Sequence, residues 1–181
     1  MLPASAGELA RRAAARDAEA WSQLFEEHYR RIYAFIRFRL RGAAEAEDIA
    51  SQVFEIAFHR AESFDYRGVP IEAWLMGIAR NLVRDHVKKL GRRGPTEELA
   101  ETMSDPAGDT TLQVDLRRDL TVAMRVLTDD QQTVLSLRFL LDKSVSETAV
   151  LMSRSEDAVK NLQRRALASL RRAMEATEAL G

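Results

Sequence analysis

Apolar residues recur along most of this chain at spacings of three and four, the signature of helices that each bury one face. Over residues 18–40 the stripe is Trp21, Leu24, Phe25, Tyr29, Ile32, Tyr33, Ile36 and Leu40, with Asp17 placed to cap its start. Gly42 interrupts the pattern. A second helix is predicted over 44–61, with Ile49, Val53, Ile56 and Ala57 inward and Glu45, Glu47 and Asp48 near the positive end of its dipole. The run ESFDYRGVP at 62–70 mixes aromatics with Gly and Pro and reads as a structured loop. A third helix is predicted over 70–89, with Trp74, Leu75, Ile78, Leu82 and Val83 on its apolar side and Pro70 in a permitted first-turn position.

Periodicity lapses over 91–111, where GRRGPTEELAETMSDPAGDTT has linker composition and carries Glu97, Glu98, Glu101, Asp105 and Asp109. Helical pattern resumes near Leu112. A Thr128-x-x-Gln131 capping box opens a helix to about 141, and Ser144-x-x-Glu147 opens a short one to about 152. Ser153-Arg154-Ser155 then makes a tight turn, and Ser155, Glu156 and Asp157 start a final helix to about 175. The expected fold class is all-α: two small helical domains joined by a flexible acidic linker. The expected division is an N-terminal extension at 1–17, a first domain at 18–90, a linker at 91–118, a second domain at 119–174 and a tail at 175–181.

Charge modifies this picture. The 181 residues carry 27 Lys plus Arg against 28 Asp plus Glu, a net charge of −1 that on its face argues against nucleic-acid binding. The balance hides a separation. Residues 76–93 hold Arg80, Arg84, Lys88, Lys89, Arg92 and Arg93 against Asp85, a net of +5, with Arg80, Arg84 and Lys88 along one helical face. Residues 154–172 hold Arg154, Lys160, Arg164, Arg165, Arg171 and Arg172 against Glu156 and Asp157, a net of +4, whereas residues 97–119 sum to −5. A cationic stripe at helical spacing tracks a phosphate backbone and makes binding salt-dependent.

The short capped helix, three-residue turn and long amphipathic helix at the C-terminal end outline a helix-turn-helix, whose second helix enters the major groove with its N-terminal residues toward base edges. Its inward stripe is Ala158, Val159, Leu162, Ala166, Leu167 and Leu170, which leaves Lys160, Asn161, Arg164 and Arg165 outward. In the 62–70 loop, Tyr66 beside Arg67 has the chemistry to stack on or clamp an unpaired base, and Phe64 reads either as such a group or as a core plug.

Catalytic constellations are missing from the sequence. His28, His59 and His86 lack metal-ligand spacing, apart from a weak Glu55–His59 pair on one helix face, and there is no GxxxxGK[ST], GxGxxG or GxSxG. With no cysteine, disulfides and thiolate metal sites are excluded. The chain is therefore expected to be a non-enzyme without metal or cofactor. The start has no apolar run fit for a signal peptide, and no 18-residue apolar stretch occurs, so a cytoplasmic protein without membrane insertion is expected.

Three segments carry a family resemblance. EAEDIASQVFEIAF at 45–58, IEAWLMGIARNLVRDHVKK at 71–89 and LTDDQQTVLSLRFLLDKSVSETAVLMSRSEDAVKNLQRRALASLRR at 127–172 resemble, in that order, regions 2.2, 2.4 and 4 of RNA polymerase sigma factors of the extracytoplasmic-function (ECF) type, in the sigma-70 family. The resemblance implies a specificity subunit that binds core polymerase, recognises a −35 element and melts a −10 element. It implies that region 2.2 docks on the clamp helices of the largest polymerase subunit, here through Asp48, Ser51, Gln52 and Phe54. The −10 element falls to Phe64, Tyr66, Arg67, Trp74, Arg80, Asn81, Arg84 and Lys88, with Trp74 read as packing or as melting wedge. The −35 element falls to Arg154, Ser155, Glu156, Asp157, Lys160, Asn161, Arg164 and Arg165. A contact to the polymerase flap region and an anti-sigma factor complete the implied partners. Residues reading alone leaves a second possibility, a helix-turn-helix regulator that acts without polymerase.

Three positions depart from the family's common wording. Ser51-Gln52 stands where many members have Gln-Glu, which removes a carboxylate from the clamp contact. Ser153 stands in the turn where many have Gly, and Glu156 and Asp157 replace small residues at the start of the recognition helix.

Overall fold

The structure, a computed structural model, describes residues 6–40, 42–64, 69–92, 119–120 and 122–179. Among these residues every regular element is helical, in two compact units, the first formed by Met1–Pro95 with Val150–Ser153 and the second by Thr96–Ala149 with Arg154–Gly181. The expected linker, with its acidic run, lies almost wholly outside the described residues.

The first unit contains α1 (Ala6–Ala14), α2 (Ala18–Arg39), α3 (Ala43–His59), a 3-10 turn (Ala61–Ser63) and α4 (Ile71–Arg92). Asp17 caps α2 as expected, its carboxylate accepting from the Ala20 amide at 2.9 Å. The core is made where α2, α3 and α4 meet: Leu24, Ile32, Phe35 and Ile36 from α2, Val53 from α3, and Leu75, Met76 and Val83 from α4 are fully buried. The buried face of α3 is built largely of alanine (Ala46, Ala50 and Ala57), so its backbone lies close to its neighbours while they supply the bulk.

Two expectations change here. The first seventeen residues were expected to be an extension, yet Ala6–Ala14 form a helix that buries Leu9, Ala10 and Ala13. The Trp21 indole donates to the Ala13 carbonyl at 2.9 Å, and Arg12 pairs with Asp17 at 3.0 Å and Glu19 at 3.1 Å. In the stripe assigned to α2, Phe25 lies 43% exposed whereas Phe35 is fully buried, because the three-helix core takes a narrower arc than the full apolar stripe.

The chain after Thr96 contains α5 (Asp129–Leu135), which widens into a π-helical stretch (Ser136–Leu140), then α6 (Val145–Met152) and α7 (Glu156–Glu178). The Thr128 capping box is present in both directions, 3.3 Å and 3.1 Å. Gln132 donates to the carbonyls of Met124 and Leu127, which ties the preceding turn to α5. Val134, Leu137, Val159 and Ala166 are fully buried, and α5 packs on α7. Leu167, placed in the inward stripe by spacing, is 41% exposed, since Val159, Leu162 and Ala166 already fill the contact.

Candidate nucleic-acid and polymerase interface

The turn between α6 and α7 is set by the backbone. The Arg154 amide donates to the Ala149 carbonyl at 2.9 Å and the Ser153 amide to Val150 at 3.1 Å, the paired bonds of a Schellman stop, with Ser153 at φ 53°. Ser155 then caps α7, its hydroxyl accepting from the Ala158 amide at 3.2 Å. One packed face and one locked turn therefore aim α7. Its other face presents Glu156, Asp157, Lys160, Asn161, Arg164 and Arg165, all exposed, with Arg154 and Ser155 exposed just ahead of it. Arg154 is paired with Asp130 of α5 and Lys160 lies 3.7 Å from Asp157, while among the described residues Arg164 and Arg165 are in no ion pair.

In α4, burial of Leu75, Met76, Ala79 and Val83 turns Asn81, Arg84 and Lys88 to the exposed side, with Arg80 half-buried between the faces. The Arg84 guanidinium donates to the Asn81 side-chain oxygen at 2.8 Å, so these two groups act as one polar unit. Toward the neighbouring helices, Glu72 lies 3.8 Å from Arg31 of α2, and His86 lies 3.7 Å from Glu45 of α3. Phe64 stacks on Trp74 with centroids 4.9 Å apart, and both are half-buried. Each ring thus packs against the other and keeps an exposed edge. Tyr66 and Arg67 lie outside the described residues.

On α3, Asp48, Ser51 and Gln52 are exposed at i, i+3 and i+4, one continuous face. Phe54 is 7% exposed and packs against Phe25 at 4.9 Å and Tyr29 at 6.1 Å. Burial, then the Glu47 carboxylate, push the Tyr29 phenol above its ordinary pKa, while a hydrogen bond with Ser51 acts the other way. Sequence spacing did not single out this aromatic edge. Phe25 and Tyr29 read there as core residues, and only packing shows Phe25 exposed against Tyr29 and Phe54.

No group of three or more metal-ligating side chains is gathered among the described residues, and none of their helices is long and apolar enough to cross a membrane.

The Sigma-70 region 2 family model matches residues 24–93, and that of Sigma-70, region 4 matches residues 123–172. The chain belongs to the sigma-70 family of RNA polymerase sigma factors. It is 39% identical over 170 residues to the ECF RNA polymerase sigma factor BldN of Streptomyces coelicolor, covering 91% of this chain and 64% of that protein, just under two thirds of its length. It is 34% identical over 134 residues to the RNA polymerase sigma factor HrpL of Pseudomonas syringae pv. syringae, covering 70% of this chain and 72% of that one. It is also 27% identical over 166 residues to the ECF RNA polymerase sigma factor SigX of Bacillus subtilis, covering 87% of this chain and 84% of that one. The same fold is seen in sigma factor RpoE of Bartonella quintana, solved with the anti-sigma factor NepR, at 22% identity and a TM-score of 0.65 over 87% of this chain and 98% of that one.

Proposed function

We propose that this sigma factor has no reaction of its own, acts in the cytoplasm and directs core RNA polymerase to promoters by three surfaces. The face Asp48, Ser51 and Gln52 of α3 meets a basic helix pair of the polymerase, with Phe54 supporting that face from beneath rather than touching the partner broadly. The α4 face of Arg80, Asn81, Arg84 and Lys88, with Phe64, Trp74, Tyr66 and Arg67, takes the −10 element, where a base must leave the stack at a cost of a few kcal/mol. The exposed face of α7, with Arg154 and Ser155 ahead of it, takes the −35 duplex. On this reading residues 18–90 and 119–174 divide the work, and 91–118 tether them.

The observation that carries the proposal is the locked turn that aims a cationic face of α7 outward, and, separately, the cations that share one face of α4. The experiment is transcription by core polymerase with and without the full chain, on a pool of bacterial genomic fragments with transcript starts mapped. Starts that share paired upstream elements only when the chain is present are the expected result; unchanged start sites sink it. An anti-sigma partner is part of the proposal, supported by the RpoE–NepR complex of like fold.

A further inference from the structure

The leading edge of the α7 face is not bare. Arg154, whose backbone the turn locks, directs its guanidinium to the Asp130 carboxylate, and the next cation along, Lys160, lies against Asp157. One turn further, Arg164 and Arg165 are exposed and in no ion pair among the described residues. The cations nearest the helix start are thus neutralised and the later ones are open. Asp130 belongs to a different element, the first turn of α5, which the Thr128 capping box holds in place. With side chains 40% and 37% exposed, the Arg154–Asp130 pair sits in high dielectric, where such pairs contribute little to stability. A phosphate offers the same guanidinium an equivalent charge-assisted bond. We propose that Asp130 sets the DNA affinity of α7 by holding Arg154, so that duplex engages this end only by exchanging a carboxylate for a phosphate.

The consequence is discrimination. Any duplex presents phosphates, so an unguarded Arg154 would strengthen binding to every sequence, whereas base contacts further along α7 strengthen it only for the right one. The inference rests on the assignment of α7 to −35 duplex. The test is fluorescence anisotropy of the full chain with a labelled mixed-sequence DNA duplex across a salt series. Asp130→Asn should tighten binding roughly three- to tenfold and steepen the log–log salt slope by about 0.9, the value for one added phosphate contact. In an Arg154→Ala background the same substitution should leave the slope unchanged. Equal tightening in both backgrounds would mean simple charge repulsion and overturns the proposal, as does weaker or undetectable binding by Asp130→Asn. Arg164→Ala separates the two levels: if it weakens binding while Asp130→Asn does nothing, α7 remains the DNA element and Asp130 is not its guard. If Arg164→Ala also changes nothing, the assignment of α7 itself fails.

Discussion

Ser153 sits at φ 53°, a left-handed conformation that crowds Cβ against the following carbonyl and costs an L-residue roughly 1–2 kcal/mol. It is tolerated because the two bonds of the Schellman stop hold the turn. Ser153→Gly should therefore stabilise the fold by about 0.5–1 kcal/mol, the strain relieved less the entropy glycine loses on folding. The gain should appear as a higher midpoint in urea unfolding followed by far-UV circular dichroism; a lower midpoint would refute the strain argument. Asp17 gives a second case. The Arg12 guanidinium, and after it the Ala20 amide, hold its carboxyl below the usual range. A depressed folded pKa contributes stability above the ordinary carboxylate value, about 4, and loses it as pH falls through the lower folded value. Asp17→Asn keeps a capping side chain and loses the ion pair, so its melting temperature should fall below that of the parent protein at neutral pH, and the gap should close in acid. A gap that persists at the acid end would place the effect elsewhere.

Single elements succeed here because local chemistry and packing agree. The Thr128 box is legible in the sequence and forms in both directions, and Thr128→Ala should cost about 1 kcal/mol in the same circular-dichroism transition, with no loss implicating another cap. In α7, burial of Val159, Leu162 and Ala166 settles which arc faces outward, and that arc carries Lys160 and Arg164. Lys160→Ala and Arg164→Ala should each weaken −35-dependent initiation, by about 1–3 kcal/mol for a residue that reads a base. Transcription from promoters with and without the −35 element measures this, and unchanged dependence in both variants removes α7 from recognition. The element that spacing missed is α1. Leu9, Ala10 and Ala13 make too short an apolar patch to stand out, and the helix is held by the Trp21–Ala13 bond and the Arg12–Asp17–Glu19 cluster, which no local pattern announces.

At the scale of the whole molecule, a net charge of −1 coexists with two cationic faces because the compensating acids lie in other segments. Asp48 shows how such a surface is tested. It is exposed on α3 and outside the packed core, so Asp48→Ala should lower affinity for core polymerase without shifting thermal unfolding. Pull-down with core enzyme measures the first and a melting curve the second; normal affinity would take Asp48 out of the interface. Phe54→Ala should instead destabilise the first unit by about 3–5 kcal/mol, the range for a large buried aromatic, which is why Phe54 cannot report on docking alone.

The sequence by itself determined the helical class, the two-unit division, the caps at Asp17, Thr128 and Ser155, and the family, because these depend on local periodicity, short-range hydrogen bonding and contiguous motifs. Tertiary structure decided the rest. It exposed Phe25 and buried Phe35, stacked Phe64 on Trp74, and set Asp130 against Arg154 across 24 residues of chain. Each of these depends on how helices cross. An apolar stripe says that a face is buried but not how wide the contact is, and a charge in the sequence does not reveal which opposite charge the fold will bring to it.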